Sequence, residues 1–337
     1  IDYTDNTDGH LLLEPSRSNL ITNSAEGVYG NSPASESNTI APDGTNTAVI
    51  PVPDSSSDRY NYSFSGGDYS TNTKLTYSWF RKRISTPPST AFLGDLQPNI
   101  LVNVTQVGST IQIGSNINGY DRFSATFNVT DGSLSGIIRL YFGSIIGIGN
   151  SSIAYWGHQL EAGSYATSYI PTEGGSVTRT ADVCDGAGSS DVFNDSEGVI
   201  FIETEPFIDG DFQSQYISLS DGTSGNNHVT IQHRNNGQLR IYAGGFLTAN
   251  IQFVGNINMA QNLKIAVQYK ESDYKLFVNG TEYSIYLSGS NQPSVSGLSQ
   301  FDFNIRGYSL NNWVGKTKQV KIYNTALTDA ELETLTT

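Results

Sequence analysis

Along most of the chain, apolar and polar residues alternate in short runs that break at Gly, Asn, Asp, Ser or Pro. Residues 264–286 show the pattern most clearly. KIAVQY reads as a strand, Glu271-Ser272-Asp273 as a turn and YKLFV as the next strand. Asn279-Gly280 then supplies the positive-φ pair of a type I′ hairpin before TEYSIY. HVTIQH, Asn235-Asn236-Gly237 and QLRIYA make a second hairpin. Strands also fit 74–84, 100–107, 137–146, 152–160, 199–206, 214–220, 300–306 and 317–323. Turn signals recur about every 8–12 residues, which predicts antiparallel sandwiches. One helix is expected, at TDAELETL, where Thr328 and Glu331 have the spacing of a capping box. No βαβ rhythm, heptad or fixed-period repeat interrupts this all-β pattern.

The stretch WGHQLEAGSYATSYIPTEGGSVTRTADVCDG, residues 156–186, changes character partway. Its lead-in SIAYWGHQLEAG alternates Ile153, Tyr155 and Gly157 against Ala154, Trp156 and His158, as a sheet strand would. The residues after it lose periodicity, and a second set of strands starts at Gly198. The reading is a seam rather than an active-site loop. It predicts two domains, 1–183 and 197–337, joined by 184–196. The segment around it is expected to be docked, because Tyr169, Ile170 and Val177 would otherwise be exposed. At 337 residues the chain suits two units, each large enough to bury a core without staples.

Composition adds exclusions. With 32 acids against 18 Lys plus Arg, the formal charge of −14 repels phosphate backbones and anionic bilayers. No apolar run approaches the roughly 18–20 residues of a membrane span. The start Ile1-Asp2-Tyr3, with no initiator Met and no signal peptide, reads as a piece of a longer polypeptide. A single cysteine, Cys184, excludes an internal disulfide framework.

Two elements bracket the first half: Glu14-Pro15-Ser16-Arg17-Ser18-Asn19-Leu20 near the start, and WGHQLEAGSYATSYIPTEGGSVTRTAD. In the second, Trp156-Gly157, Gln159-Leu160-Glu161, Thr167 to Thr172, Thr178-Arg179 and Ala181-Asp182 carry the likeness. Together they resemble a recurring element of bacteriophage tail and appendage proteins, with His158 where a small residue is more usual. Between them the chain is similar to a carbohydrate-binding-module jelly roll, with KLTYSWFRKR as a central strand. GVIFIETEPF, YKLFVNGTEY and KQVKIYNTALTDAELETL resemble the laminin-G-like, concanavalin-type sandwiches. The resemblance implies a virion protein whose partners are a host or environmental polysaccharide and other virion proteins. Appendages of that kind are often trimers, and trimer and monomer both stay open.

No residue is nominated as catalytic. Glu203 and Glu205 in IETEP would share a sheet face, but laminarinase-type glucanases use Glu-x-Asp-x-Glu, and here Thr204 is in the middle and Pro206 ends the run. His228 and His233 should face opposite ways on one strand. Cys184 has no neighbouring His, and no Gly-x-Ser-x-Gly elbow is present. The resemblance implies a structural Ca²⁺ ion, for which Asp209, Asp211 and Asp221 supply hard oxygen ligands, although Asp-Gly is also an ordinary turn.

Aromatic residues carry the binding expectation, with 19 Tyr, 15 Phe and 3 Trp in the chain. On KLTYSWFRKR, Tyr77, Trp79 and Arg81 share one face and Ser78, Phe80 and Lys82 the other, and either face could be core. Loop candidates are Tyr60 and Tyr62, Tyr120 in NGYDRF, and Tyr308, Asn312 and Trp313 in RGYSLNNWVG, with Trp313 alternatively a packing staple. The favoured function is non-catalytic recognition of a surface glycan. A polysaccharide lyase or hydrolase is the first alternative, needing an acid pair or a Tyr/His/Arg set on a concave face. A structural adaptor of the virion is the second.

Overall fold

A computed structural model describes residues 9–25, 29–30, 34–52, 59–84, 98–141, 153–207, 214–223, 227–234, 238–244, 250–252, 254–288, 295–305 and 311–337. These form antiparallel sheets, with Asp329–Thr336 the one helix among them. Two compact units emerge: Ser16–Thr180, and Ile1–Pro15 together with Ala181–Thr337. The seam near residue 181 lies where the loss of periodicity suggested. The other end differs from the expected 1–183, because the N-terminal residues go with the C-terminal unit. The reason is a strand. Leu11–Leu13 pairs with Gly315–Tyr323, and Leu13 enters the core there. Backbone and side-chain bonds between Glu14 and Asp182 then tie the two crossing segments together.

The Ser16–Thr180 unit opens and closes on a ribbon of Arg17–Asn19 against Val177–Arg179. Its larger sheet runs in the order Ala34–Thr39, Ala48–Val52, Ile153–Ala162, Lys74–Arg83, Tyr120–Val129, Val104–Ile117. A smaller sheet holds Tyr29–Gly30, Arg59–Phe64, Gly136–Tyr141 and Pro98–Val102. Leu75, Tyr77, Trp79, Phe123, Phe127, Leu160 and, from the smaller sheet, Ile138 make the core. Phe80, Tyr120 and Trp156 bury the opposite face of the larger sheet, with Tyr169 laid on Trp156 at 4.6 Å between rings.

The strand Ile153–Ala162 does not keep the simple alternation read from its sequence. Its pairing with Lys74–Arg83 slips between Trp156 and Gln159, around Gly157 at φ +65°. That bulge reverses the phase. Tyr155 and Leu160 both reach the core, and His158 lies with them, its Nδ1 2.6 Å from the Tyr77 hydroxyl. The expected face shared by His158 and Trp156 is therefore corrected. His158 is a buried packing residue, and burial holds its pKa down to about 3.

The C-terminal unit is a second sandwich. One sheet is Leu11–Leu13, Gly315–Tyr323, Glu197–Pro206, Leu263–Lys270, Lys275–Val278, Thr281–Tyr283; the other is Val254–Asn256, Gln238–Ala243, His228–His233, Gln215–Ser220, Gln300–Asp302. Ile200, Ile202, Ile217, Val229, Ile231, Ile241, Ile265 and Trp313 fill the space between. The hairpin turn forms as read, with Asn279 at φ +47° and Gly280 at φ +75°. Thr328 and Glu331 close the capping box, and Leu332 seats the helix on Val199, Phe201, Ala266 and Phe277. The segment 184–196 packs on this unit. Phe193 joins the core, the Phe303 amide donates to the Cys184 carbonyl, and Ala187 bridges Phe301. Of the three residues expected to be covered, Ile170 is buried and Tyr169 is partly so, whereas Val177 is 42% exposed.

Two outcomes follow. A Cβ at position 157 would sit 2.7 Å from the Phe80 ring at a positive φ. Gly157→Val should therefore destabilise the jelly roll by about 2 kcal/mol or more, read as a lowered denaturation midpoint. For His158, the unfolded ring takes a proton near the ordinary 6.5 and the folded ring only near 3. The stability of the neutral ring is thus complete above 6.5 and lost as pH falls toward 3, by at most about 1.4 kcal/mol per pH unit. Denaturant titrations across that range should show a shallower pH slope for His158→Gln than for the wild type.

Candidate functional site: a polar sheet face in the C-terminal sandwich

The strands QYISLS, HVTIQH and QLRIYA each alternate apolar residues with polar or hydroxyl-bearing ones. Ile217, Leu219, Val229, Ile231, Leu239 and Ile241 point into the core. The opposite face therefore presents Tyr216, Ser218, Ser220, His228, Thr230, Gln232, Arg240 and Tyr242. Cross-strand register arranges them in rows: Tyr216–Gln232–Arg240, Ser218–Thr230–Tyr242 and Ser220–His228. Gln300–Asp302 adds Asp302 beside Ser218 and Gln300 beside Ser220. Asn312 bridges to Tyr216 and extends the first row.

A hydrogen-bond chain joins the first two rows. Gln232 Nε2 donates to the Tyr216 hydroxyl at 2.8 Å, and the Tyr242 hydroxyl donates to Gln232 Oε1 at 2.8 Å. Arg240 Nη1 donates to the Tyr242 hydroxyl, with the guanidinium 5.3 Å from the centre of that ring. Burial raises the Tyr216 pKa, and the Tyr242 hydroxyl adds to the rise. At the far strand, Asp302 accepts from Gly186 N at 2.7 Å and from Gln300 Nε2 at 2.9 Å. His228 Nδ1 lies 2.9 Å from Thr230 Oγ1. Tyr216, Ser218, Ser220, His228, Thr230, Gln232, Tyr242 and Asp302 are all buried, and Arg240, Gln300 and Asn312 are the half-exposed members at the margins. The face combines flat aromatic rings, amide and hydroxyl hydrogen-bonding groups, one cation and one carboxylate.

The residues expected to bind ligand are distributed differently. Trp79 is fully buried in the jelly-roll core, stacked 6.1 Å from Phe123, so it is corrected from ligand to core. Arg81 shares that core side and lies 3.8 Å over the Phe123 ring. Tyr120 is buried under the other face of the sheet with Phe80 and Trp156, its hydroxyl pushed up to about 12 by desolvation, and is corrected likewise. Trp313 is the packing staple: it is fully buried, and its Nε1 donates to Thr204 Oγ1 at 3.2 Å. Tyr60 and Tyr62 lie on Arg59–Phe64 opposite Leu140 and Ile138, and their side chains fall outside the described residues. Tyr308, Asp209 and Asp211 also fall outside them.

Asn312 alone among the expected ligand residues comes to the polar face. Its Nδ2 donates to the Asp182 carbonyl. Asp221 accepts from Thr223 N, Thr223 Oγ1 and Asn227 Nδ2, so its carboxylate is engaged in its own turn. Among the described residues no three His, Cys, Asp or Glu side chains converge as a metal site would require. Glu203 lies on the helix-bearing sheet, away from the polar face, held by Lys318 at 3.0 Å and Asn262 at 3.2 Å. His228 and His233 do face opposite ways. His233 packs against Trp313, and burial lowers its pKa to about 4.

The sequence reading passed over Tyr216, Gln232, Arg240 and Tyr242. The signal was in the alternation itself: the polar positions of three neighbouring strands are tyrosine, glutamine, arginine and small hydroxyl residues.

Residues 206–333, which contain this whole face, match a family model of the laminin-G type described as the concanavalin A-like lectin/glucanases superfamily. No curated protein matches the chain. Among solved structures, a carbohydrate-binding module (CBM40) of a Ruminococcus gnavus sialidase is similar at 16% identity and a TM-score of 0.37, over 46% of this chain and 95% of that one. A putative carbohydrate-binding protein from Bacteroides ovatus is similar at 12% identity and 0.32, over 84% and 80%. Domains LG4-5 of the mouse laminin α1 chain are similar at 7% and 0.29, over 87% and 91%.

A large core loss should separate the two tryptophan roles. Trp313→Ala is expected to destabilise the C-terminal sandwich by about 3–5 kcal/mol. A midpoint close to wild type in a denaturant titration would place Trp313 outside the core.

Proposed function

We propose that this chain recognises a polysaccharide without cleaving it, through the polar face of its C-terminal sandwich. The observation that carries the reading is the Tyr216–Gln232–Tyr242–Arg240 network, which lies inside the region matched to a lectin/glucanase model. Aromatic rings offer planes for sugar C–H faces, and the amide and hydroxyls offer the directional bonds that fix orientation. Hydrolysis fits less well. A glycosidase uses two carboxylates, and among the described residues the face has one, Asp302, with both oxygens already accepting.

A second reading has a specific observation behind it. Tyr216, Tyr242, His228 and Arg240 share one face, and a β-eliminating lyase could employ such a set. Against it, burial raises the Tyr216 pKa, the opposite of what a tyrosinate base needs at neutral pH. The sequence likeness to phage tail elements supports placing this recognition on a virion appendage, facing a host or environmental polysaccharide with other virion proteins as neighbours. Weak single sites would there be strengthened by multivalency, and a trimer would supply it. A structural calcium ion also belongs to the proposal, resting on Asp209 and Asp211 because Asp221 is engaged elsewhere. EDTA should lower the melting temperature of the wild type and leave that of Asp211→Asn unchanged.

The test of the main reading is retention on immobilised polysaccharides, with the size of the soluble polymer measured after incubation. Retention with intact polymer is expected, and Tyr242→Phe, which cuts the Arg240–Gln232 link, should weaken it by about ten-fold. Shortened polymer would replace this reading with the lyase. Absence of retention throughout would leave the structural adaptor.

A further inference from the structure

We propose that the Arg240 end of the polar face holds the carboxylate of an acidic sugar, a uronic or sialic acid type of residue. This rests on the carbohydrate reading above and adds the class of glycan.

The argument begins with charge. The chain has 32 acidic side chains and 18 Lys plus Arg, so a cation without an acidic neighbour runs against the composition. Several bases of the same sandwich meet an acid: Lys270 with Glu197, Lys275 with Asp329, Lys318 with Glu203. Arg240, like Arg234 on Gln238, bonds a neutral group instead. Among the described residues its hydrogen bond is to the Tyr242 hydroxyl, and its cross-strand neighbours are Gln232 and Val254. Its Nε is buried and has no acceptor among the described residues.

A half-buried guanidinium with an unused donor is unfavourable to keep, since a buried donor without an acceptor has given up its water for nothing in return. An incoming carboxylate would meet the half-exposed end of the guanidinium with two parallel N–H···O bonds, for which the planar fork is suited. Tyr242 holds the fork from below. Gln232 and Tyr216 continue the row as a buried, mutually bonded support behind it.

Polarity along the face sets direction. Asp302 is three strands away from Arg240 in the order Gln238–Ala243, His228–His233, Gln215–Ser220, Gln300–Asp302. At about 4.8 Å per strand this is about 14 Å, or some two to three sugar rings. An acidic group is attracted at the Arg240 margin and repelled at the Asp302 margin. A glycan is therefore expected to lie across the strands with its carboxylate at the strand Gln238–Ala243.

The experiment measures binding of the full chain to alginate, polygalacturonate and polysialic acid, to the carboxyl-reduced form of each, and to neutral dextran and galactan, by microcalorimetry. The expected result is binding to at least one acidic polymer and about ten-fold or greater loss when its carboxyls are reduced to alcohols. This comparison uses the wild-type protein, so folding cannot confound it. Arg240→Gln should abolish the preference, while Arg240→Lys, a point charge without the fork, should keep part of it. Equal affinity for native and reduced polymers, or binding to the neutral polymers alone, would overturn the acidic-sugar assignment and leave carbohydrate recognition standing. Binding to none of them would overturn both.

Discussion

An antiparallel sheet has two faces, and burying one against a partner sheet leaves the other to be accounted for. That constraint organises both units of this chain. In the jelly roll, the larger sheet puts Leu75, Tyr77, Trp79 and Phe127 inside, and its second face is closed by Phe80, Tyr120 and Trp156. In the C-terminal sandwich, the sheet containing Glu197–Pro206 covers its second face with the helix, through Leu332 on Val199 and Phe201. Among the described residues the remaining sheet has no such apolar cover. It has instead a hydrogen-bonded polar layer whose side chains are themselves mostly buried.

Much of the fold was legible because period-2 alternation, turn dipeptides and a capping box are local signals. The hairpin at Asn279-Gly280 and the helix start at Thr328 needed no tertiary information. Facing was harder. On KLTYSWFRKR both faces bear large aromatics, so alternation separates Trp79 from Phe80 without saying which packs in the main core. Both turn out to be buried, on opposite sides of one sheet. Phase was harder still. Gly157 inverts the parity of its strand, and a reading that counts twos past it assigns His158 to the wrong side.

The aromatic residues that looked most like ligand platforms, Trp79, Tyr120 and Trp313, are packing residues for a common reason. Large rings remove the most apolar area from water per residue, so a sandwich uses them first to fill its interior. The N-terminal boundary escaped detection for a different reason. The three leucines at 11–13 are a short apolar run whose partner, Gly315–Tyr323, lies about three hundred residues further on, and no local pattern records such pairing.

The polar layer also bears on why the face is built as it is. Replacing a buried hydrogen-bonded network with apolar groups of matching shape is often neutral or stabilising, so stability alone does not favour Tyr216, Gln232 and Tyr242 over apolar residues at these positions. Their mutual bonds satisfy one another and hold three strands' side chains in one arrangement. At the end of this rigid chain stands a guanidinium whose donors the fold leaves partly unused. Rigidity set beside an unmet charge is the signature of pre-organisation. The ordering has been done in the folded protein, so under the proposed reading a bound group would cost the protein little further freedom.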